Sequence, residues 1–130
     1  AEDAMAFMAR EDVACLQVPA NIMQSEVLNL VLPAAQEKGL AIISREPFGG
    51  GAIFSNALFN KFCEARLNRA ASRVVLQYLL QRNGTGIILI GMTCRKNLYD
   101  NLNAFEAAPL SAEEIQILEK GNAMPNFEIA

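Results

Sequence analysis

Three short apolar runs, each cut off by proline or glycine, set the strongest limit on how this chain folds. Val13 to Val18 is apolar except at Gln17 and stops at Pro19. Leu40 to Ile43 is entered through Gly39 and followed by Pro47, and Ile87 to Ile90 lies between Gly86 and Gly91. Runs this short read as buried strands, because continuous apolarity marks a strand covered on both faces. The segments between them have helical character, so the chain alternates strand and helix, and strands joined by helical crossovers are parallel.

The connecting segments follow in order. Glu2 to Arg10 reads as a short amphipathic helix, with Met5, Met8 and Ala9 on its apolar side. Ser25 is placed to cap a second helix, with Glu26 in its first turn. Pro33 predicts a break or restart near Leu32, and Gly39 sits at the usual C′ position. Phe54 to Asn68, rich in asparagine and aromatic residues, reads as an irregular, partly helical connection. Arg69 to Gln81 is clearer, since Ala70, Val74, Tyr78 and Ala71, Val75, Leu79 run on overlapping i, i+4 tracks. A further helix is expected from Met92 to about Phe105. Ser111 and Glu114 have the spacing of a capping box for the last one, which ends near Lys120. Asn122 to Ala130 has no periodicity.

Function is to be sought where these strands end. Gly49-Gly50-Gly51 follows the second strand and provides backbone that adopts positive φ and approaches a ligand without a Cβ in the way. Turns of this kind at the carboxyl ends of parallel strands bind phosphates, but a bare glycine triplet lacks the G-x-G-x-x-G spacing and is equally a flexible connector. Gly91 opens in the same way into Met92-Thr93-Cys94-Arg95-Lys96. A helix starting there presents unpaired amides to an anion. Residues 61 to 96 carry Lys61, Arg66, Arg69, Arg73, Arg82, Arg95 and Lys96 against the single acid Glu64, a local charge that suits phosphate or else a solvated helix face. The aromatic residues do not interleave with the basic ones, so no stacking platform for nucleic acid is expected.

Other chemistry is thin. Cys15, Cys63 and Cys94 are odd in number and lack C-x-x-C spacing, which argues against a disulfide framework or a zinc site. Tyr78 lies in an apolar stripe and belongs to a core, Tyr99 reads as a surface residue, and Glu113 with Glu114 serves a helix start. No apolar run approaches a membrane span, and the acidic start Ala1-Glu2-Asp3 is unlike a signal peptide, so a cytoplasmic location is expected. Hydrophobic residues make up 52% of the 130 and charged residues 19%. That is more apolar surface than a small monomer needs, and it predicts an oligomer or a part of something larger.

Taken together, LQVPAN, AIISREPFGGG and IGMTCRKNLYDNLNAFEAAPLSAEEI resemble the last three strands and the closing helices of an aldo-keto reductase barrel, in family order and spacing. The resemblance implies an α/β fold. It is a partial TIM (β/α)8 barrel of about three parallel strands, with residues 1–130 forming one partial-barrel domain, because a whole barrel needs about 250 residues. It also implies a nicotinamide dinucleotide, NADP or NAD. Gln17 matches the strand-end glutamine that holds the nicotinamide carboxamide, and Asn21 follows it. Pro47, Phe48, Gly50 and Ile53 match the loop around the pyrophosphate. Thr93 and Cys94 match the turn that receives the adenosine phosphate, and Asn101 matches the asparagine at adenine.

Two departures stand out. Ala20 occupies the place of an aromatic residue that stacks on the nicotinamide ring, and Asn97 that of an arginine or glutamine near the 2′-phosphate. Arg95 and Lys96 lie close enough in sequence to supply charge, which leans the expectation to NADP. The family's catalytic aspartate, tyrosine, lysine and histidine belong to other strands, and this sequence has no histidine. The expectation is therefore the cofactor side of an NAD(P)H-dependent oxidoreductase without turnover of its own, paired with a copy of itself or with the complementary barrel half. The alternative is an oligomeric α/β module with a structural or protein-binding role.

Overall fold

The computed structural model describes residues 1–24, 26–83 and 86–121. Its three strands, β1 (Cys15–Pro19), β2 (Ala41–Arg45) and β3 (Ile87–Ile88), form one parallel sheet in that order. The central strand is β2. Gln17 pairs with Ile43 and Ile43 with Ile87, while the next row is Val18, Ser44 and Ile88. Successive side chains point to opposite faces, so these rows lie on different sides of the sheet.

Burial separates the two sides. Val18, Ile42 and Ser44 are buried on the side where α2 (Leu32–Glu37) and α5 (Ala71–Asn83) pack. Cys15, Gln17 and Ala41 are exposed on the other, as is Ile87, which retains 58% of its surface, and Leu89, which retains 46%. Strands expected to be covered on both faces are therefore covered on one. The core lies between sheet and helices, built on fully buried side chains such as Leu28, Leu32, Ile53, Val75 and Leu79.

The helices follow the sequence pattern with local differences. α1 (Glu2–Met8) ends two residues before Arg10. The break expected near Leu32 takes the form of a π-helical segment, Val27–Val31, that runs into α2 with Pro33 in its first turn. Proline has no N–H to donate to the turn before it, and a wider turn accommodates that loss. Ser25 lies outside the described residues. Of the six residues on the expected stripe, the five within α5 are buried, and Ala70, which precedes the helix, is exposed. Capping of α7 (Ala112–Gly121) is reciprocal. The Ser111 N–H donates to Glu114 Oε2 at 2.7 Å and the Glu114 N–H to Ser111 Oγ at 3.1 Å.

The stretch expected to be irregular is instead regular. After the short α3 (Ala52–Ser55), α4 (Ala57–Leu67) begins at Asn56, whose side chain accepts the Phe59 N–H at 2.9 Å, and ends at Asn68 in the left-handed region. Its buried Phe59, Cys63 and Leu67 are one turn apart and seat the helix on the core. β3 is shorter than the run Ile87 to Ile90, although the Leu89 N–H still donates to the Ser44 carbonyl at 2.8 Å. No helix among the described residues is long and apolar enough to cross a membrane.

Candidate functional site

Parallel pairing brings the carboxyl ends of all three strands to one edge of the sheet, and the segments leaving them build the site. β2 ends before Glu46, whose φ of 54° turns the chain, and the glycine run continues the turn with φ of 57°, 64° and 96°. The three glycines are not equivalent. A Cβ on Gly49 would lie 2.3 Å from Met23 Cε, whereas on Gly50 or Gly51 it would meet nothing within 4 Å. Gly49 thus serves packing within the protein, and Gly50 presents bare backbone to solvent.

Beside this turn, Phe48 and Phe54 hold their rings 5.0 Å apart and form one wall of a cavity of about 330 Å³. The remaining lining comes from Ser72 at the start of α5, Gly91 after β3, and Asn97, Asp100 and Asn101 of α6 (Arg95–Glu106). Residues 97, 100 and 101 share one face of that helix, as their i, i+3, i+4 spacing requires. A cavity of this size has room for a nucleoside but not for a whole dinucleotide.

Asn101 gives the cavity its chemistry. Its side chain is 6% exposed, lines the cavity, and makes no hydrogen bond among the described residues. An amide that lines a cavity without a partner in the protein offers two donors and an acceptor to a polar ligand there. Asp100 lies alongside and accepts a hydrogen bond from Lys96, which holds the lysine ammonium above its ordinary range.

Only some of the residues singled out in the sequence come to this cavity. Phe48 and Asn101 line it. Gly50 is exposed in the adjoining turn, and Thr93 and Cys94 are exposed at the start of α6, where Cys94 is the N-cap and no side chain caps the first amides. Gln17 is exposed on the open sheet face. Pro47 is buried, and Ile53, 1% exposed, belongs to the core beneath the turn. Asn21 is also buried, with its amide committed internally. It donates to Gln24 Oε1 at 3.0 Å and to the Glu46 carbonyl at 3.4 Å, and accepts the Met23 N–H at 3.0 Å. Asn21 thereby ties the turn after β1 to the turn after β2.

Sequence reasoning did not assign Phe54, Ser72 or Asp100 to the site. The polar triplet at helical spacing on α6 was the available signal for Asp100. Nothing local marks Phe54 or Ser72, which arrive through the packing of α3 and α5.

Two of the seven basic residues between 61 and 96 are engaged away from the cavity. Arg69 binds Gln77, the Ala108 carbonyl and Glu114, while Arg82 binds the Leu28 carbonyl, Asn29 and Glu119. These two arginines fasten helices together rather than facing the cavity. Among the described residues no three cysteine, aspartate or glutamate side chains come together to hold a metal.

This fold and site define part of a βα barrel with a cavity of about 330 Å³ at the strand ends. The aldo/keto reductase family model matches residues 2–123, and the chain belongs to that family. Among solved structures it is similar to the aldo-keto reductase AKR11C1 from Bacillus halodurans, with 22% identity and a TM-score of 0.68 over 89% of this chain and 46% of that one. It is also similar to a variant of Gox0644 in complex with NADPH, with 23% identity and a TM-score of 0.68 over 92% of this chain and 43% of that one. At these identities the likeness shows the fold. The chain spans less than half the length of either structure. No curated protein matches it.

Proposed function

We propose that residues 1–130 form a single partial-barrel domain supplying the cofactor side of an aldo-keto reductase-like NAD(P)H-dependent oxidoreductase. The observation that carries this reading is Asn101, which lines a nucleoside-sized cavity at the strand ends and has no hydrogen-bond partner among the described residues. In this reading Asn101 and the Phe48 ring receive the adenosine, and Thr93 and Cys94 receive its phosphate at the start of α6. Gly50 offers backbone to the pyrophosphate, Pro47 and Ile53 shape that loop from below, and Asn21 fixes its neighbour. Gln17 addresses the nicotinamide carboxamide. The dinucleotide, NADP or NAD, supplies the hydride, and these residues bind and orient it.

These residues alone are expected to carry out no carbonyl reduction. Hydride transfer to a carbonyl needs an acid placed at the oxygen. Tyr78 is 2% exposed, and burial, with Glu119 beside it, raises its pKa against the opposing effect of Arg82. It serves as core. Calorimetric titration with NADPH and NADH tests the reading: weak binding by the parent that is lost in Asn101→Ala supports it, and no binding of either cofactor refutes it.

A second reading, an oligomeric module with a structural role, draws on the open sheet face. Ile87 and Leu89 there, with Leu98, Leu102 and Phe105 along α6, are all 40% or more exposed. In either reading the chain pairs with a second copy or with the complementary half of a barrel.

A further inference from the structure

Of the two partners, a second copy or the complementary barrel half, we infer that a second copy covers the open sheet face, and in one arrangement. The α6 side of each copy meets the α1 side of the other, so that β3 of one pairs in parallel with β1 of its partner. The two ends of the molecule match in shape and charge. Gln77 of α5 donates to the Ala104 carbonyl, so α5 lies on the Ala104 side of α6. At about 100° per residue, Leu98, Leu102 and Phe105 then fall on the side turned away from α5, and all three are exposed. Arg95 heads the same stripe, three residues before Leu98 and seven before Leu102, and forms no ion pair among the described residues.

The complementary surface is on α1. Ala4 and Met8 pack against the core, while Asp3 and Phe7, one turn apart, lie to one side of them, with Phe7 54% exposed. With the packed side of each helix turned to the sheet, Asp3 and Phe7 are on the opposite hand from the α6 stripe, as two helices lying side by side require. Both helices also run in the same direction. α6 starts beyond the carboxyl end of β3, and the carboxyl end of α1 is held by Lys38, which donates to the Met8 carbonyl at 2.9 Å and precedes the start of β2. Laid together, α6 of one copy sets Arg95 against Asp3 of the partner, and its apolar stripe against the partner's Phe7.

A twofold axis running along the strands makes this contact twice. Two three-stranded sheets then form one closed ring, in which both edges are paired and both open faces turn inward. Such a ring is narrower than one of eight strands. Cys15 and Ala41, small residues paired in the register on the open face, leave room for it.

The test follows the mass of the full chain by light scattering across a dilution series at low ionic strength. The parent should be a dimer. Arg95→Glu and Asp3→Lys, both at exposed positions, should each weaken it about tenfold, because two contacts per dimer change from opposite to like charge. An equimolar mixture of the two variants should recover the parental affinity, since every α6 contact then joins opposite charges again. No weakening in the single variants, or no recovery in the mixture, overturns the arrangement. A disulfide measurement needs no new charge on α1. In a Cys15→Ser, Cys94→Ser background, Phe7→Cys combined with Leu102→Cys should form a covalent dimer when oxidised glutathione is supplied, and neither change alone should. A covalent dimer from one change alone means that like surfaces meet, and overturns the inference. So does a monomeric parent, which would leave the complementary barrel half as the occupant. The cofactor reading stands or falls separately, by titration.

Discussion

Gln17 stands directly across the β1–β2 register from Ile43, on the sheet face that the helices leave open. Ile43 continues the row to Ile87, which is 58% exposed at the edge of the sheet. A parallel sheet is ordinarily buried on both faces, so a row of this composition in water is a surface waiting to be covered. Both edge strands also leave backbone groups unpaired, and neither carries a lysine within it. Light scattering at micromolar concentration should show a dimer or a larger species. Ile87→Lys should shift that population toward monomer without loss of helical signal, since the side chain contributes little to the monomer's own core. A well-folded monomeric parent would contradict the expectation.

Asn21 and Asn101 are both buried asparagines near strand ends, and they should respond to truncation in opposite ways. Asn21→Ala removes three internal hydrogen bonds and leaves the Met23 N–H without its acceptor, which should lower stability by about 1–3 kcal/mol. Asn101→Ala removes no hydrogen bond among the described residues, so it should cost less in thermal unfolding while abolishing cofactor binding. Melting curves and titrations of the two variants separate the scaffold from the site. Equal destabilisation with retained binding in Asn101→Ala would assign Asn101 to the scaffold as well.

Much of this arrangement was legible because it follows from local rules. The alternation of apolar runs and helical segments predicts a parallel sheet, and Pro33 and the Ser111–Glu114 pair mark helix boundaries that the structure contains. α4 was legible but obscured. Phe59, Cys63 and Leu67 hold helical spacing, yet the surrounding asparagines read as loop until Asn56 is seen to cap and Asn68 to terminate. The roles of the arginines were not legible, because their partners are remote in sequence. Arg69 finds Glu114 and Arg82 finds Glu119, and only the packing of α5 against the segments that follow brings these charges together. Gln77 is a similar case. It is 2% exposed in an apolar stripe, but it donates to the Ala104 and Ala108 carbonyls, contacts that no helical pattern encodes.

Gly39 and Gly50 provide a matched pair for the glycine turn. Their φ values are 68° and 64°, and a Cβ at either position meets nothing within 4 Å. Valine at either site should therefore cost a similar 1–2 kcal/mol or so in backbone strain. Only Gly50→Val should also lose dinucleotide binding, because its side chain would stand where the pyrophosphate approaches. Thermal shift and titration of both variants provide the comparison. Loss of binding in both would point to general destabilisation, and loss in neither would remove Gly50 from the site.

Cys63 should make the stability of this protein fall in alkaline solution. Its thiol is fully buried on α4, and burial, with a smaller contribution from Glu64, pushes its pKa up to about 12 from an ordinary 9.0. Between those values the unfolded chain releases a proton that the folded chain keeps. Unfolding is therefore favoured as pH rises through the window, and this group has no effect below it. Each pH unit within the window corresponds to about 1.4 kcal/mol, so the change from about pH 8 to about pH 10.5 is on the order of 2 kcal/mol. Cys63→Ala lacks the thiol and should lose that part of the slope, which isolates it from the titration of tyrosines and lysines. Denaturant unfolding of parent and variant at the two pH values measures it. Thiol labelling gives an independent reading: Cys15 and Cys94 are exposed and should react with a disulfide reagent in the native state, while Cys63 should react only on unfolding. Three thiols reacting at once in native buffer would mean that α4 opens far more readily than its packing implies.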